Sequence, residues 1–410
     1  MRGLIATHCD FALAEITVAS VDALTSTVTA TAPASFENQQ AIVKFSLKQP
    51  DGTTPLPVTS LTVNVGGTTY NVMPTAASSD IYVAVKKTSN KTVTLRATDG
   101  TDFFRYEKTG VSFANGQYYA IGVKMFSLNL STLTSDFTAQ DGDVLTGSLS
   151  GNYKVSIADG ATVTLGGVTI NGTNDDSYKW AGITCLGDAT IVLADGTTNT
   201  VKGFYEVFPG IRSAEGKTLT IEGTGSLTAS SNGKGAGFGG PRTYNCGNIH
   251  IKGGNITATG GERSAGIGSG YNASCGTITI SGGNVTAIGG TFAAAIGCGG
   301  DASCGAILIE GGTVAATATN SNNAICIGTA NCSCPSVTFT RGITRMTLSN
   351  PNRIAVGDFI NTSGEKIFAE AFNFYPYRNS TVNSFINNNT DFKSLFTNSS
   401  FSTGTWVIAP

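Results

Sequence analysis

The sequence has little charge, few histidines and no long apolar run, and each shortage excludes a class of function. Charged residues make up 13% of the 410, with 25 basic against 27 acidic side chains, so the chain lacks the basic field with which proteins bind nucleic acid. The 52 glycines interrupt the apolar stretches well before the ~18 residues of a transmembrane helix, and no such segment is predicted. With only two histidines in the chain, a Ser/His/Asp arrangement would have to use His250.

What the sequence has instead is an internal repeat of about 29 residues. The apolar residues that mark it, at steps of 29, 29 and 30, are Ile249, Ile278, Ile307 and Val337. Each copy contains three short alternating runs separated by glycines, and the alternation places Ile249 and Ile251 on one face of a strand. One copy cannot bury its apolar face alone, so successive copies must stack.

These patterns predict an all-β chain of three regions. Region 129–341 is predicted to be a right-handed parallel β-helix with coils of about 29 residues, one triangular turn per copy. Region 342–410, where the period is lost, is predicted to be a β cap over the last coil, because an open end invites edge-to-edge association. Region 1–128 has β-rich runs separated by Pro/Gly turns and no repeat, which predicts an antiparallel β-sandwich.

Two stretches of the first region resemble the fimbrillin family, the pilus and surface proteins of gut-type anaerobic bacteria. They are SFENQQAIVKFSLK at 35–48 and VSFANGQYYAIGVKMF at 111–126. The repeat region is also similar to β-helices appended to such proteins, in stretches such as KTLTIEGTGSLTAS at 217–230. The resemblance implies a non-catalytic adhesin, exported to the cell surface, outer membrane or a fimbrium, with host or dietary glycans or other fimbrial subunits as partners.

The first nine residues do not form a clear signal peptide. They contain one arginine, a very short apolar stretch and then Cys9, which superficially suggests a lipidation site but is too short for an apolar export segment. The preferred interpretation is a fragment or a misassigned start.

Four cysteines recur with the repeat. They are Cys246, Cys275, Cys304 and Cys334. Neighbouring strands in register hold Cβ atoms about 4.8 Å apart, whereas a disulfide prefers about 3.8 Å. We therefore predict a structural column of buried free thiols; disulfides, common in exported proteins, are the alternative. No metal site and no cofactor are predicted.

Catalysis on polysaccharide is the alternative function. Glycoside hydrolysis needs two opposed carboxylates, and lyase chemistry needs carboxylates for calcium with a nearby base. Between residues 219 and 335 the acids are Glu222, Glu262, Asp301 and Glu310, and their spacing forms no cluster. A non-catalytic chain is therefore predicted.

Aromatic residues near one level of the repeat are the better candidates for a ligand-binding site. The predicted ligand-binding residues are Tyr178, Trp180, Phe204 and Tyr205, with Asp175 and Asp176 as acceptors. Rings that project from adjacent coils can form a platform for the faces of sugars. Capping of the first coil, or packing beneath the junction with the first region, is the competing interpretation of the same rings.

Overall fold

A computed structural model describes residues 37–319 without a break. Outside that range it describes Ala12–Leu13, Val18–Asp22, Thr27–Ala30, Ile325–Gly328, Cys334, Val337–Phe339, Ile343–Ser349 and Thr405–Ile408. The chain divides into two compact units, Met1–Leu128 and Asn129–Pro410. In this described part, no helix has the length and apolarity needed to cross a bilayer.

The first unit consists of β-strands. They are β1 (Ala12–Leu13), β2 (Val18–Asp22), β3 (Thr27–Ala30), β4 (Glu37–Asn38), β5 (Gln40–Lys48), β6 (Ser60–Val65), β7 (Thr68–Val72), β8 (Asp80–Lys86), β9 (Thr88–Thr98), β10 (Phe103–Phe113), β11 (Tyr118–Lys124) and β12 (Phe126–Ser127). A sheet ordered β12-β10-β9-β6-β7 and a sheet ordered β11-β5-β8 are its two main layers. Small antiparallel pairs join β1 to β4 and β2 to β3.

Both main sheets contribute alternate residues to one apolar core, as a sandwich requires. Val43 and Phe45 of β5 and Leu61 and Val63 of β6 are all buried in it. The predicted antiparallel sandwich is confirmed for this unit, with one departure: β11 pairs with β5 in parallel.

The second unit opens with a short 3-10 helix, Leu130–Thr132, and continues in strands. They are β13 (Phe137–Ala139), β14 (Val144–Ser148), β15 (Val155–Ile157), β16 (Ala161–Asn171), β17 (Ile183–Cys185), β18 (Ala189–Leu193), β19 (Thr198–Lys202), β20 (Ile211–Arg212), β21 (Thr218–Gly223), β22 (Ser226–Ser230), β23 (Phe238–Gly239), β24 (Asn248–Ile251), β25 (Asn255–Thr259), β26 (Ile267–Gly268), β27 (Ile278–Ile280), β28 (Asn284–Gly289), β29 (Ala294–Gly297), β30 (Ile307–Ile309), β31 (Gly312–Ala318), β32 (Ile325–Gly328), β33 (Val337–Phe339), β34 (Ile343–Ser349) and β35 (Thr405–Ile408).

These strands form a parallel β-solenoid with three stacks. Stack A is β13-β15-β17-β20-β23-β26-β29-β32; stack B is the first half of β16 followed by β18-β21-β24-β27-β30-β33; stack C is the second half of β16 followed by β19-β22-β25-β28-β31-β34. β16 belongs to both B and C, and β14 pairs with it in parallel. The predicted coil of three short strands is therefore confirmed.

Equivalent residues of successive coils lie opposite one another. Ile249 pairs with Ile278, Ile278 with Ile307, and Ile307 with Val337. Ile251 and Ile280 form the next column on the same inward face and are fully buried. The repeat of about 29 residues is thus the length of chain that makes one coil, as predicted.

Glycine is required where coils approach closely. Gly268 of β26 has φ +134°, and a Cβ atom built on it would lie 1.8 Å from the carbonyl oxygen of Gly297 in the next coil. Gly239 and Gly297 occupy the same column with φ +123° and +131°. No side chain fits at these positions, so the column fixes the close packing of the backbone in stack A.

The solenoid continues past the point at which the sequence repeat ends. β34, Ile343–Ser349, pairs in parallel with β31 and so extends stack C beyond residue 341. β35 then pairs antiparallel with β34. Apart from β34 and β35, the region predicted to be the cap, 342–410, lies outside the described residues.

Candidate functional site

Three of the predicted aromatic residues meet in one cluster. Tyr178 and Trp180 lie in loop 172–182, between stacks C and A, and Phe204 lies in the equivalent loop of the next coil, 203–210. The ring centroids are 5.5 Å apart for Tyr178 and Trp180, 5.7 Å for Trp180 and Phe204, and 6.4 Å for Tyr178 and Phe204. We call these three residues the aromatic cluster. Their tilted and edge-on contacts are the arrangement that aromatic rings prefer.

One ring of the aromatic cluster is buried and the other two are partly exposed. Phe204 is 1% exposed, so it supports the other two rings from below and does not project as the sequence suggested. Tyr178 and Trp180 are partly exposed. Tyr205 is also partly exposed, but its ring contacts none of these three described rings. Within the aromatic cluster, the rings available to a ligand are therefore those of Tyr178 and Trp180.

The indole nitrogen of Trp180 is an unusual feature of the cluster. Nε1 is buried and has no hydrogen-bond partner among the described residues. A buried N–H donor without an acceptor destabilises the fold by about 1–3 kcal/mol. Because this nitrogen is shielded from solvent, a ligand that approaches the cluster reaches the exposed part of the Trp180 ring and not Nε1.

The two predicted acidic residues have different roles in the loop. Oδ1 of Asp175 accepts a hydrogen bond of 2.8 Å from the backbone N–H of Ser177, which lowers the pKa of the carboxyl group. The carbonyl oxygen of Asp175 also accepts a hydrogen bond of 3.1 Å from the N–H of Tyr178. Asp175 therefore orders the backbone that carries Tyr178 and Trp180. Asp176 is exposed beside it.

Asn232 joins the loops beneath the cluster, and the sequence did not single it out. Its Nδ2 donates to the carbonyl oxygens of Gly172, Gly203 and Phe204 at 2.9, 2.6 and 3.3 Å. One amide group thus connects loops of three successive coils. A single asparagine within the Ser/Asn/Gly run 230–233 gives no sequence signal for this role.

The thiol column lies in the interior, away from any surface where it could react. The described free and buried cysteines are Cys185, Cys246, Cys275, Cys298, Cys304 and Cys334. Cys275 and Cys304 face each other across neighbouring coils as bridge partners. Burial raises the pKa of Cys185 to about 12, and the neighbouring Cys275 thiol, together with burial, raises the pKa of Cys246. The thiols of Cys185 and Cys246 therefore stay protonated near neutral pH, and buried cysteines of this kind pack as small apolar groups.

Two of the acids between residues 219 and 310 lie beside basic side chains. Glu222 forms an ion pair with Lys252 at 3.5 Å, and Asp301 lies 3.8 Å from Arg263. Across the described residues, no group of three His, Cys, Asp or Glu side chains is arranged to hold a metal ion. The folded chain does bring together His250 and Ser281, whose Nε2 and Oγ atoms are 3.0 Å apart on the outer face of stack B.

The chain is similar to known proteins in one region. The Beta helix repeat family matches residues 249–271 and 278–300, two successive coils of the solenoid. No curated protein and no solved structure matches the chain. The matched coils follow the aromatic cluster along the chain and contain no residue of it.

Proposed function

We propose that the chain is a non-catalytic surface adhesin that binds glycans through the aromatic cluster. The observation that carries this proposal is the pair of partly exposed rings, Tyr178 and Trp180, supported by the buried Phe204 ring. Rigid rings with one open face suit the apolar faces of sugars. The β-helix repeat fits a surface or polysaccharide-related protein.

In this proposal the chain acts outside the cytoplasm, at the cell surface or on a fimbrium. The fimbrillin resemblance of 35–48 and 111–126 supports this location. Its partners are host or dietary glycans, and the other subunits of the surface assembly are the second class of partner. A solenoid that holds the binding loops on stacked parallel strands suits adhesion, because the site lies on a rigid scaffold.

A glycan array followed by titration of the strongest ligand tests the proposal. A sugar face that covers about 100 Å² of apolar ring contributes ~2.5 kcal/mol, so Trp180→Ala should weaken binding by about one to two orders of magnitude. Tyr118→Ala, which removes an exposed ring from the first unit, is the matched control and should leave affinity unchanged. Equal affinity of the Trp180→Ala variant and the unmodified chain would remove the cluster from consideration.

The contact between His250 and Ser281 favours one other candidate, a polysaccharide-active enzyme. A histidine nitrogen 3.0 Å from a serine oxygen is within the range in which a base activates a hydroxyl nucleophile. Reducing-sugar and unsaturated-product assays on the array ligands separate the two proposals. Turnover that Ser281→Ala abolishes would establish the enzyme, and binding without turnover supports the adhesin. Absence of both would favour a purely structural stalk.

A further inference from the structure

A second group of side chains lies on the loops that flank stack A, further along the chain than the aromatic cluster. Arg242 and Tyr271 follow β23 and β26, whereas Arg263 and Phe292 precede β26 and β29. Arg242 and Tyr271 occupy equivalent positions 29 residues apart, and so do Arg263 and Phe292. The four residues thus come from two families of loops that meet beside the same stack.

Their side chains alternate between cation and ring. The guanidinium carbon of Arg242 lies 5.5 Å from the centroid of Tyr271, and that of Arg263 lies 5.1 Å from the same centroid. Arg263 also lies 5.3 Å from the centroid of Phe292 and donates a hydrogen bond of 3.1 Å to the Tyr271 hydroxyl. We call Arg242, Tyr271, Arg263 and Phe292 the cation–π column. Each distance is within the range of a cation–π contact.

The backbone is shaped to hold these side chains. Arg263 and Phe292 both adopt left-handed conformations, with φ +58° and +61°, which bulky residues seldom do. The N–H of Arg242 donates to the carbonyl of Val207 at 2.8 Å, and the carbonyl of Arg263 accepts from Gly300 at 2.8 Å. Strained positions of this kind persist where the surrounding structure enforces them, and they concentrate at binding sites.

The two arginines of the cation–π column are not both neutralised by carboxylates of the described residues. Asp301 is the carboxylate beside Arg263, at 3.8 Å and with 57% of its side chain exposed. Within residues 37–319, no carboxylate forms an ion pair with Arg242. Its Nε atom is buried and lacks a hydrogen-bond partner among the described residues, as does Nε of Arg212 on β20. Arg242 is partly exposed, and its guanidinium group, which no carboxylate of the described residues neutralises, attracts an oxyanion from solution.

We infer that the cation–π column binds the carboxylate or sulfate group of an acidic glycan. A guanidinium group that lies over a ring keeps the N–H groups at its edge available for a bidentate contact with an oxyanion. Loop 203–210 carries Phe204 of the aromatic cluster, and its Val207 carbonyl accepts the hydrogen bond from Arg242. The loops of both groups are therefore linked. This inference rests on the proposed function and names the class of glycan.

The test compares acidic ligands with matched neutral ones. Oligogalacturonate is the carboxylate probe, its carboxyl-reduced form is the neutral probe, and a chondroitin sulfate oligosaccharide is the sulfate probe. Arg242→Gln should weaken binding of one or both acidic probes about tenfold or more and leave binding of the reduced probe unchanged. Raising the salt concentration should weaken acidic binding to the unmodified chain and have less effect on the variant.

Two further variants keep the result interpretable. Lys252→Gln removes a cation of the outer face of stack B, already paired with Glu222, and should not change affinity. Arg242→Lys keeps the charge but loses the planar group, so it should bind the acidic probes more tightly than Arg242→Gln and more weakly than the unmodified chain. Both Arg242 variants should keep the melting temperature of the unmodified chain. If Arg242→Gln binds the acidic probes as tightly as the unmodified chain, the inference is wrong while the proposed function stands. If no glycan of any kind binds, both fail.

Discussion

Replacement of one glycine in stack A tests whether the coils are packed as closely as the structure indicates. In Gly268→Ala, the new Cβ would lie 1.8 Å from the Gly297 carbonyl oxygen, at a residue with φ +134°. The two coils would have to separate locally by about 1 Å or more to restore ordinary contact distances. That movement disturbs the hydrogen bond of 3.1 Å from Ser269 N to Gly297 O.

The expected magnitude follows from these two effects. An alanine in such a sparsely populated conformation costs about 1–3 kcal/mol, and one or two weakened backbone hydrogen bonds cost about 1–3 kcal/mol more. Gly268→Ala should therefore lower the free energy of unfolding by about 2–6 kcal/mol. Gly196→Ala is the matched control, because Gly196 has φ +67° and a Cβ there would meet nothing within 4 Å. Only the conformational cost of about 1 kcal/mol should remain in the control.

Thermal and urea unfolding, followed by far-ultraviolet circular dichroism, measure the difference between the two variants. Limited proteolysis adds a local measurement, since a repeat array can open in part without unfolding as a whole. Gly268→Ala should unfold earlier than Gly196→Ala and become sensitive to protease near β26 and β29. If the two variants unfold alike, the close approach of the Gly268 and Gly297 backbones is wrong, and the packing of stack A must be looser than described.

Two more predictions concern the loops and the interior. Asn232→Ala removes the donor shared by the carbonyls of Gly172, Gly203 and Phe204 and should lower stability by about 1–3 kcal/mol and weaken glycan binding, measured by melting and titration. Asn284→Ala, which loses an exposed hydrogen bond to Asn255, is its control. Equal effects of the two substitutions would contradict the role of Asn232 in joining the three loops. Because the pKa of Cys185 is raised to about 12 by burial, its thiol should resist iodoacetamide at about pH 8 until denaturant is added, as peptide mass spectrometry would show. Complete labelling of Cys185 in the native chain would refute its burial.

The repeat made the solenoid predictable, because the inward residues of each coil pack against the equivalent residues of the next coil. Ile249 and Ile278 could be paired from their spacing alone, and the pairing is confirmed. The strand Ile343–Ser349 could not be assigned to stack C from sequence, since ITRMTLS lacks the glycines that mark the coils. Its parallel pairing with β31 depends on the preceding coil as a template.

The site was only partly predictable, because loop side chains are placed by packing between coils and not by the period. Phe204 and Trp180 are close as expected, yet the burial of Phe204 follows from its contact with the loop of the previous coil. Arg263 and Tyr271 belong to different loops of the repeat. The period of the sequence relates each of them only to the equivalent position of other coils, and not to each other. Their contact becomes visible when both loops are folded beside stack A.

The register between coils also determines how this protein can change in length. Because Ile249, Ile278 and Ile307 occupy interchangeable places, removal of one whole repeat would bring a remaining coil onto an equivalent neighbour. A deletion that shifts a strand by one residue would instead turn its inward residues outward. Gain or loss of one repeat therefore changes the length of the solenoid by one coil, about 4.8 Å.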